Sequence, residues 1–413
     1  MTSLERYDAV QDMEPLLPSA HILDGVLEKA HDLRTEATRL TGAFLHDVSH
    51  ELAVLLRSMN SYYSNKIEGE HTRPIEIQRA LARDFSGDAD KAKLQRLALA
   101  HIQTERWLYE NPKSTTDLYT IGSVQDIHAH LFGQLPTEDR FIERNDTNNH
   151  ALDRVEVQPG QLRNRDVAVR RHVAPTWQSL QAMLARWCQV YGGVRRGEMQ
   201  IVAAAASHHR LTWIHPFFDG NGRTARLHTL AVLQSAALTG GLWSPLRGLA
   251  RSAAAYGEQL ANADMPRMGD LDGRGQLSER MLVAWIDYFL DVCLDQVRFM
   301  RQMLDIGAME SRMGALLAHE EHVSKRGIRM EALRPLHYLF STRSELPRGE
   351  FARMTGLGER TAVTLIGKLL GAGLLVSDSP RGSVRVGIPM ESLRFLFPNL
   401  WPEAEADVLA GLA

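Results

Sequence analysis

The sequence predicts a mainly α protein of more than one domain, with a short hairpin set into a helical core and a second hairpin near the C-terminus. Three observations predict it. Apolar residues recur at helical spacing through most of the 413 residues. Strand-like alternation is confined to two Gly- and Pro-punctuated stretches. The length exceeds what one compact core usually holds, so two or three domains are expected.

The elements follow in order. In "HDVSHELAVLLRSMNSYYSNKIEGE", Leu52, Leu55, Leu56, Met59 and Tyr63 share a helix face, and Gly69 offers a stop. "KAKLQRLALAHIQTERWLYENP" is a second helix closed by Asn111-Pro112, and "IHAHLFGQL" begins a third with Ser123 as its cap. The texture then changes. "LDRVEVQPGQLRNRDVAVRRHVAP" (152–175) carries Gly, Pro, Asn and alternating valines, which predicts a loop or short hairpin. Helices resume in "TWQSLQAMLARWCQVY", "EMQIVAAAASHHRLTWI", "RTARLHTLAVLQSAAL" and "SERMLVAWIDYFLDVCLDQVRFMRQML", the last long enough to link domains. Beyond it, "MEALRPLHYLF" is a helix, "RGEFARMTGLGERTAVTLIGKLLGAG" a helix-turn-helix, and "LLVSDSPRGSVRVGI" two strands about a Pro-Arg-Gly turn. Helix, helix-turn-helix and hairpin together resemble a winged helix.

Bulk composition narrows the function classes. With 44% hydrophobic and 23% charged residues and a net charge of −3, the chain is not expected to coat nucleic acid or an anionic membrane as a whole. Cys188 and Cys293 lie outside any CxxC spacing, which fits packed thiols in a reducing compartment. The charged start "MTSLERYDAVQDMEP" does not read as a signal peptide, and no run of eighteen apolar residues occurs. The expectation is a soluble, cytoplasmic protein with no membrane contact.

Chemistry concentrates in "HPFFDGNGRTAR", His215 to Arg226. The preceding helix should end near Ile214, because Pro216 forces the chain out of it. The backbone then turns through Asp219, Gly220, Asn221 and Gly222 before another helix starts. The first N–H groups of that helix lack intrahelical partners and sit at its positive end, an anion site in waiting. Gly220 and Gly222 let backbone approach a phosphate, and Arg223 and Arg226, three apart, can converge on one. Asp219 is a hard oxygen ligand suited to Mg²⁺. His215 can take a proton from a hydroxyl. Taken singly, each residue also fits an ordinary helix–helix loop, and Phe217 reads as a packing anchor. Together they describe a phosphoryl- or nucleotidyl-transfer site. A P-loop is excluded, since no GxxxxGK[ST] occurs.

"HPFFDGNGRTAR" resembles, residue for residue, the signature of the Fic family, HPFx[D/E]GNGRxxR. The resemblance implies a Fic helical core and transfer of AMP from Mg-ATP to a Ser, Thr or Tyr hydroxyl of a target protein. It assigns His215 as base, Asp219 as Mg²⁺ ligand, and Gly220, Asn221 and Gly222 as the phosphate-binding turn. Arg223 would hold the bridging phosphates and Arg226 the γ-phosphate. A phosphorylating relative has Lys at the position of Gly222, so the glycine points to AMP transfer.

A second stretch, "SNKIEG" (64–69), carries Ser64 and Glu68 on one helix face. By spacing it is a capped, solvated helix end. It is also similar to the family's inhibitory motif [S/T]xxxE[G/N], as "MEPLLPS" is to the region that usually precedes it. The resemblance implies that Glu68 pairs with Arg226 and competes with the γ-phosphate, giving low basal activity. It further implies a target-binding flap at 161–175, "QLRNRDVAVRRHVAP", which residue pattern alone would equally allow as a surface loop. Tyr256, in "YGEQLANA", is a candidate nucleotide contact or a core tyrosine.

Near-misses are set aside. "MGDLDGRGQLSE" (268–279) imitates a calcium loop but begins with Met268 and has Gly275 at its apolar position. "HEEH" (319–322) is one residue short of HExxH, and His208-His209 lack metal spacing. From Ser344 to Ile388, six basic residues face four acidic ones. Arg360, Thr361, Thr364 and Lys368 on the second helix leave DNA binding and protein contact both open.

The expected organisation is an N-terminal helical region carrying the brake (1–114), a catalytic core (115–300), a helical linker (301–330) and a winged helix (331–413). The expected activity is a self-restrained protein adenylyltransferase. Removal of AMP by the same site, or DNA-binding regulation with the core as nucleotide sensor, are the alternatives. Homodimers, common in the family, would also be allowed.

Overall fold

The computed structural model describes residues 7–43, 50–145, 152–169, 172–195 and 197–412. The N-terminal helices are α1 (Asp24–Ala43), α2 (His50–Ile67), α3 (Pro74–Leu81) and α4 (Ala89–Glu110). Then come α5 (Thr115–Leu118), α6 (Ile121–Gly133), the strands β1 (Phe141–Asn145) and β2 (Leu152–Glu156), and β3 (Ala168–Val169) with β4 (His172–Val173). The centre holds α7 (Leu180–Gly193), α8 (Glu198–Ile214), α9 (Asn221–Ser235), α10 (Leu246–Arg251), α11 (Ala253–Ala263) and α12 (Glu279–Met303). The C-terminal part is α13 (Ile306–His322), α14 (Leu333–Ser341), α15 (Arg348–Met354), α16 (Glu359–Gly371), β5 (Leu375–Val376), β6 (Arg385–Val386), α17 (Leu393–Leu396) and α18 (Pro402–Leu412).

The architecture is mainly α, built around α8. Its Ala-rich sequence leaves little side-chain bulk, so α1, α7, α9 and α12 all pack against it. From Ile201 to Leu211 every residue of this helix is buried. Indole N–H groups lock the bundle: Trp187 donates to the Ser207 carbonyl at 3.1 Å and Trp285 to that of Ala205 at 2.7 Å. Helix α2 packs on α4 and α10 and reaches α9 with its C-terminal end. No helix among the described residues is long and apolar enough to cross a membrane.

Among the described residues, three antiparallel strand pairs complete the fold. The β1–β2 pair has register Phe141↔Glu156 to Asn145↔Leu152, and β3–β4 pairs Ala168 with Val173 and Val169 with His172. The expected hairpin at 152–175 is therefore parts of two, because β2 turns back to β1. The two central arginines of the expected flap, at 170 and 171, lie outside the described residues, as do 46–49 at the start of the first expected helix segment. In the C-terminal part, α14, α15 and α16 precede β5–β6, and a Leu346↔Val384 bridge adds a third extended segment.

Some expectations need correction. Helix α6 starts at Ile121, and its cap is Thr120, whose hydroxyl accepts from Ser123 N–H at 3.1 Å; Ser123 is inside the helix. Helices α1, α3, α5, α10, α11, α17 and α18 are not among the helices the sequence predicts. The long helix ends at Met303, as its segment predicts, and Asp305 then caps a new one by accepting from Ala308 N–H at 2.7 Å.

Candidate active site

The site is the bend between α8 and α9. At its start His215 adopts a left-handed conformation, φ 51° and ψ 61°, as the C-cap of α8. A non-glycine residue there stores strain of order 1 kcal/mol, which surrounding contacts must hold. They do. Arg163, itself buried, donates to the carbonyls of His215 at 2.8 Å, Arg165 at 2.9 Å and Pro175 at 2.5 Å.

The bend is packed from below by aromatic rings. Phe217 is fully buried and stacks on His128 at 3.8 Å, which stacks in turn on Phe132 at 4.5 Å. His128 Nε2 donates to the Asp219 carbonyl at 3.2 Å, while its Nδ1 accepts from Gly160 N–H at 2.9 Å. Burial lowers this imidazole to about 4, so it stays neutral. Asn221 clasps the loop from within: its side-chain oxygen accepts from Phe217 N–H and its amide donates to the Phe217 carbonyl, both at 2.9 Å. Its side chain is thus spent on shaping the turn, leaving backbone as what the turn offers an anion. Gly220 has φ 73°, and a Cβ there would collide with the Phe132 ring.

Helix α9 turns both arginines inward, at 3% exposure for Arg223 and 2% for Arg226. Arg226 donates through Nε to Ser64 Oγ at 3.0 Å, and through Nη2 to the Ser64 carbonyl at 3.0 Å and Glu68 Oε1 at 2.6 Å. Arg223 donates to Glu70 Oε2 at 2.5 Å and Asp219 Oδ2 at 3.2 Å. Gly222 lies under the Glu68 carboxylate, and a Cβ at this position would run into it. Two buried cations at a helix N-terminus are thus each matched by a carboxylate from the end of α2.

The electrostatics separate the two acids. Burial would raise the Glu68 carboxyl, but the charges of Arg226 and Arg223 and the Arg226 hydrogen bond hold it below the usual range. Glu70 goes the other way: burial pushes it up, and the nearby negative charges of Asp219 and Glu68 offset part of the help from Arg223. Arg223 stays firmly charged, because Asp219, Glu70 and Glu68 outweigh its burial.

Asp219 is the candidate metal ligand. Its carboxylate is 38% exposed at the mouth of the bend, and only Oδ2 is engaged by Arg223. Among the described residues no cluster of three metal-binding side chains occurs. A single hard carboxylate fits Mg²⁺, which typically takes its remaining ligands from phosphate oxygens and water.

Of the residues expected from sequence, Ser64, Glu68, Asp219, Gly220, Asn221, Gly222, Arg223 and Arg226 come together here, with His215 at the start of the same bend. Tyr256 is buried behind them, and its hydroxyl is engaged by His208 Nε2 at 2.8 Å. It lies against Arg226. His208 and His209 are buried packing residues, and both Asp272 oxygens in the calcium-like loop accept backbone N–H groups of Met268 and Arg280. Sequence reasoning missed Glu70 and His128, and it singled out Arg163 and His172 only as members of the flap segment 161–175. Glu70 sits two residues past Glu68.

Comparison with known proteins adds the following. Residues 119–233 match the model of the Fic/DOC family. A protein adenylyltransferase Fic of Nematostella vectensis is 29% identical over 178 residues, 42% of this chain and 37% of that protein. Another, of Drosophila ananassae, is 38% identical over 72 residues, 17% of this chain and 14% of that one. A crystal structure of a Fic family protein from Desulfovibrio desulfuricans superposes with a TM-score of 0.51 at 15% identity, covering 87% of this chain and 96% of that one. That likeness is one of fold. The chain spans little more than a third of the length of the first two curated relatives.

Proposed function

We propose, from the match of residues 119–233 to the Fic/DOC family, that the chain is a protein adenylyltransferase restrained by its own helix α2. One observation carries the reading. The N-terminus of α9 presents bare backbone and two buried arginines beside His215 and Asp219, and each arginine is plugged by a carboxylate.

In the proposed reaction the N-terminal backbone of α9, Arg223 and Arg226 bind the phosphates of ATP. Asp219 would hold Mg²⁺, which supplies charge neutralisation on those phosphates. His215 takes the proton of a Ser, Thr or Tyr hydroxyl as that oxygen bonds to the α-phosphorus. The bond to the β-phosphate oxygen breaks, and pyrophosphate leaves. Arg163 serves by fixing the His215 carbonyl, and hence the imidazole's base, in its strained conformation. The target lies along the hairpin segment 161–175, with β3–β4 offering an edge to an extended chain.

The restraint is competitive. Glu68 occupies the arginine meant for the γ-phosphate, and Glu70 occupies its neighbour. ATP bound against both would sit out of line for attack. A second reading, removal of AMP from a modified protein, draws on the same acid. Glu68 engages Arg226 through Oε1, and its side chain is 34% exposed, so it could orient a water. Separate incubations with Mg-ATP and with an AMP-modified acceptor distinguish the two: the first leaves adenylate on protein, the second releases it.

We read residues 331–413 as a winged helix that serves contact with other macromolecules. On α16, Val363 is 61% exposed among Arg360, Thr361 and Thr364, and Lys368 reaches the Gly327 carbonyl at 3.2 Å. An apolar centre and a spent lysine favour a protein partner over DNA.

A further inference from the structure

The hairpin strand β4 carries His172, whose ring lies 6.2 Å from that of His215. Its Nδ1 is 3.0 Å from Asp264 Oδ2, and its Nε2 is 2.8 Å from the Trp213 carbonyl oxygen. Both partners are acceptors. A neutral imidazole has one N–H and satisfies only one of them, whereas a ring with an N–H on both nitrogens satisfies the two together.

The surroundings suit a cation. Trp213 is in the last turn of α8, where carbonyls lack intrahelical partners and the helix end is negative. Asp264, at the end of α11, faces two imidazoles. Its Oδ1 is 3.0 Å from His209 Nε2, while Arg210 Nη1 donates to His209 Nδ1 at 2.7 Å. His209 is therefore the neutral partner, with its proton on Nε2. The charged and titratable groups around His172 are thus Asp264, His209 behind it, Arg210 beyond that, His215, and Arg163 on the lead-in to the hairpin. Arg163 bonds the His215 carbonyl, and its own N–H donates to the Pro216 carbonyl at 2.9 Å. Two cations on the hairpin segment thereby take the carbonyls of Trp213 and His215, one on either side of Ile214.

We infer that His172 is a positioning residue. As an imidazolium bridging Asp264 and the end of α8, it latches the hairpin strand to the backbone that carries His215, and so fixes the distance between a target lying on the hairpin and the base. The inference rests on the adenylyl-transfer reading for its consequence, while the latch itself stands on geometry alone. It separates two properties of the site. ATP is held by α9, whereas alignment of the hydroxyl depends on the latch. Loss of the latch leaves nucleotide binding intact and lowers transfer to protein.

The test uses the full-length chain with Glu68→Gly, alone and with His172→Phe, Asp264→Ala or both added. The side-chain ¹⁵N shifts of His172 near neutral pH report its protonation, and hydrogen exchange of peptides within 161–175 reports the latch. The expected results are an imidazolium pattern and faster exchange of that segment in His172→Phe, with exchange elsewhere unchanged. A ring with one bare nitrogen, or unaltered exchange, overturns the latch. For the consequence, self-adenylylation should fall roughly tenfold in His172→Phe with the KM for ATP unchanged, as expected for a lost alignment. The double variant should be no worse than the worse single one, since both act through one bridge. Equal loss of ATP binding and transfer assigns His172 to general stability and overturns the positioning role. If Glu68→Gly alone adenylylates nothing, the transfer reading fails, and the shift and exchange measurements still decide the latch.

Discussion

Oε1 of Glu68 lies 2.6 Å from Nη2 of Arg226, a contact across 158 residues of chain that joins the end of α2 to the first turns of α9. Around it the restraint we propose would rest on three independent features. The serine one turn earlier bonds the same guanidinium, Gly222 has no side chain to keep the carboxylate away, and Glu70 takes the neighbouring arginine.

Removing the Glu68 carboxylate should therefore release the site. Glu68→Gly is expected to raise adenylate incorporation by roughly tenfold or more, the scale on which misplaced phosphates cost rate. Adding His215→Ala should return it to background. Intact-mass spectrometry after incubation with Mg-ATP checks both.

Glu70 should respond to pH where Glu68 does not. Its carboxyl is raised by burial and by the neighbouring acids, so on acidification it takes up a proton and loosens its hold on Arg223 first. Glu68, held below its ordinary range, remains ionised. In the Glu68→Gly background the KM for ATP should fall as pH is lowered toward the upper carboxylate range. Glu70→Gln should lower that KM near neutral pH to the level the parent reaches at low pH, and so flatten the dependence. A pH-independent KM in the parent would remove Glu70 from the restraint.

The C-terminal helix should contribute to the brake. Glu403 on α18 accepts from Tyr63 Oη at 2.9 Å and Lys66 Nζ at 2.8 Å, both on the last turns of α2. Arg73, just beyond, pairs with Asp407 at 2.8 Å. Glu403→Ala should loosen this end of α2 and raise incorporation about threefold, a coupling of under 1 kcal/mol. Urea unfolding of the same variant should show that the fold persists.

A buried acid beside α2 sets a stability trend. Glu105 accepts from Asn60 Nδ2 at 2.8 Å, and burial raises its carboxyl to about 8. The folded state thus keeps a proton that the unfolded chain has lost, and stability declines as pH rises from the ordinary carboxylate range to about 8. Glu105→Gln, which keeps the bond from Asn60, should abolish that decline and raise Tm on the alkaline side by about 2 °C or more. Thermal unfolding across pH checks it.

Gly220→Ala should damage the bend itself. The residue has φ 73°, and the added Cβ meets the Phe132 ring. A cost of about 1–3 kcal/mol is expected from strain alone, read as a lower urea midpoint.

What the sequence made legible follows from where its information is local. The bend from His215 to Arg226 is contiguous, so base, acid, glycines and arginines could be assigned roles before any contact was known. The long helices showed their apolar stripes. Helix α1 did not, because two of its five inward positions, Val26, Ala30, Leu33, Ala37 and Leu40, are alanines. The stripe is too thin to stand out among its charged neighbours. The sequence offers Ser123 as the cap of α6, and Thr120, three residues earlier, takes that role. Glu68 came to notice only through resemblance, since nothing local distinguishes it from a solvated helix end. Glu70, Arg163, His172 and Glu403 acquire meaning from partners dozens to hundreds of residues away, which no local pattern encodes.

The central claim is that the bend passes the α-phosphoryl group of ATP, with its nucleoside, to a hydroxyl. The most direct measurement gives the Glu68→Gly protein ATP labelled at either the α- or the γ-phosphate, with Mg²⁺, and follows label retained on denatured protein. The account predicts retention from the α position, none from the γ position, and loss of both with His215→Ala. Retention from the γ position, or from neither while the protein stays folded, would contradict it.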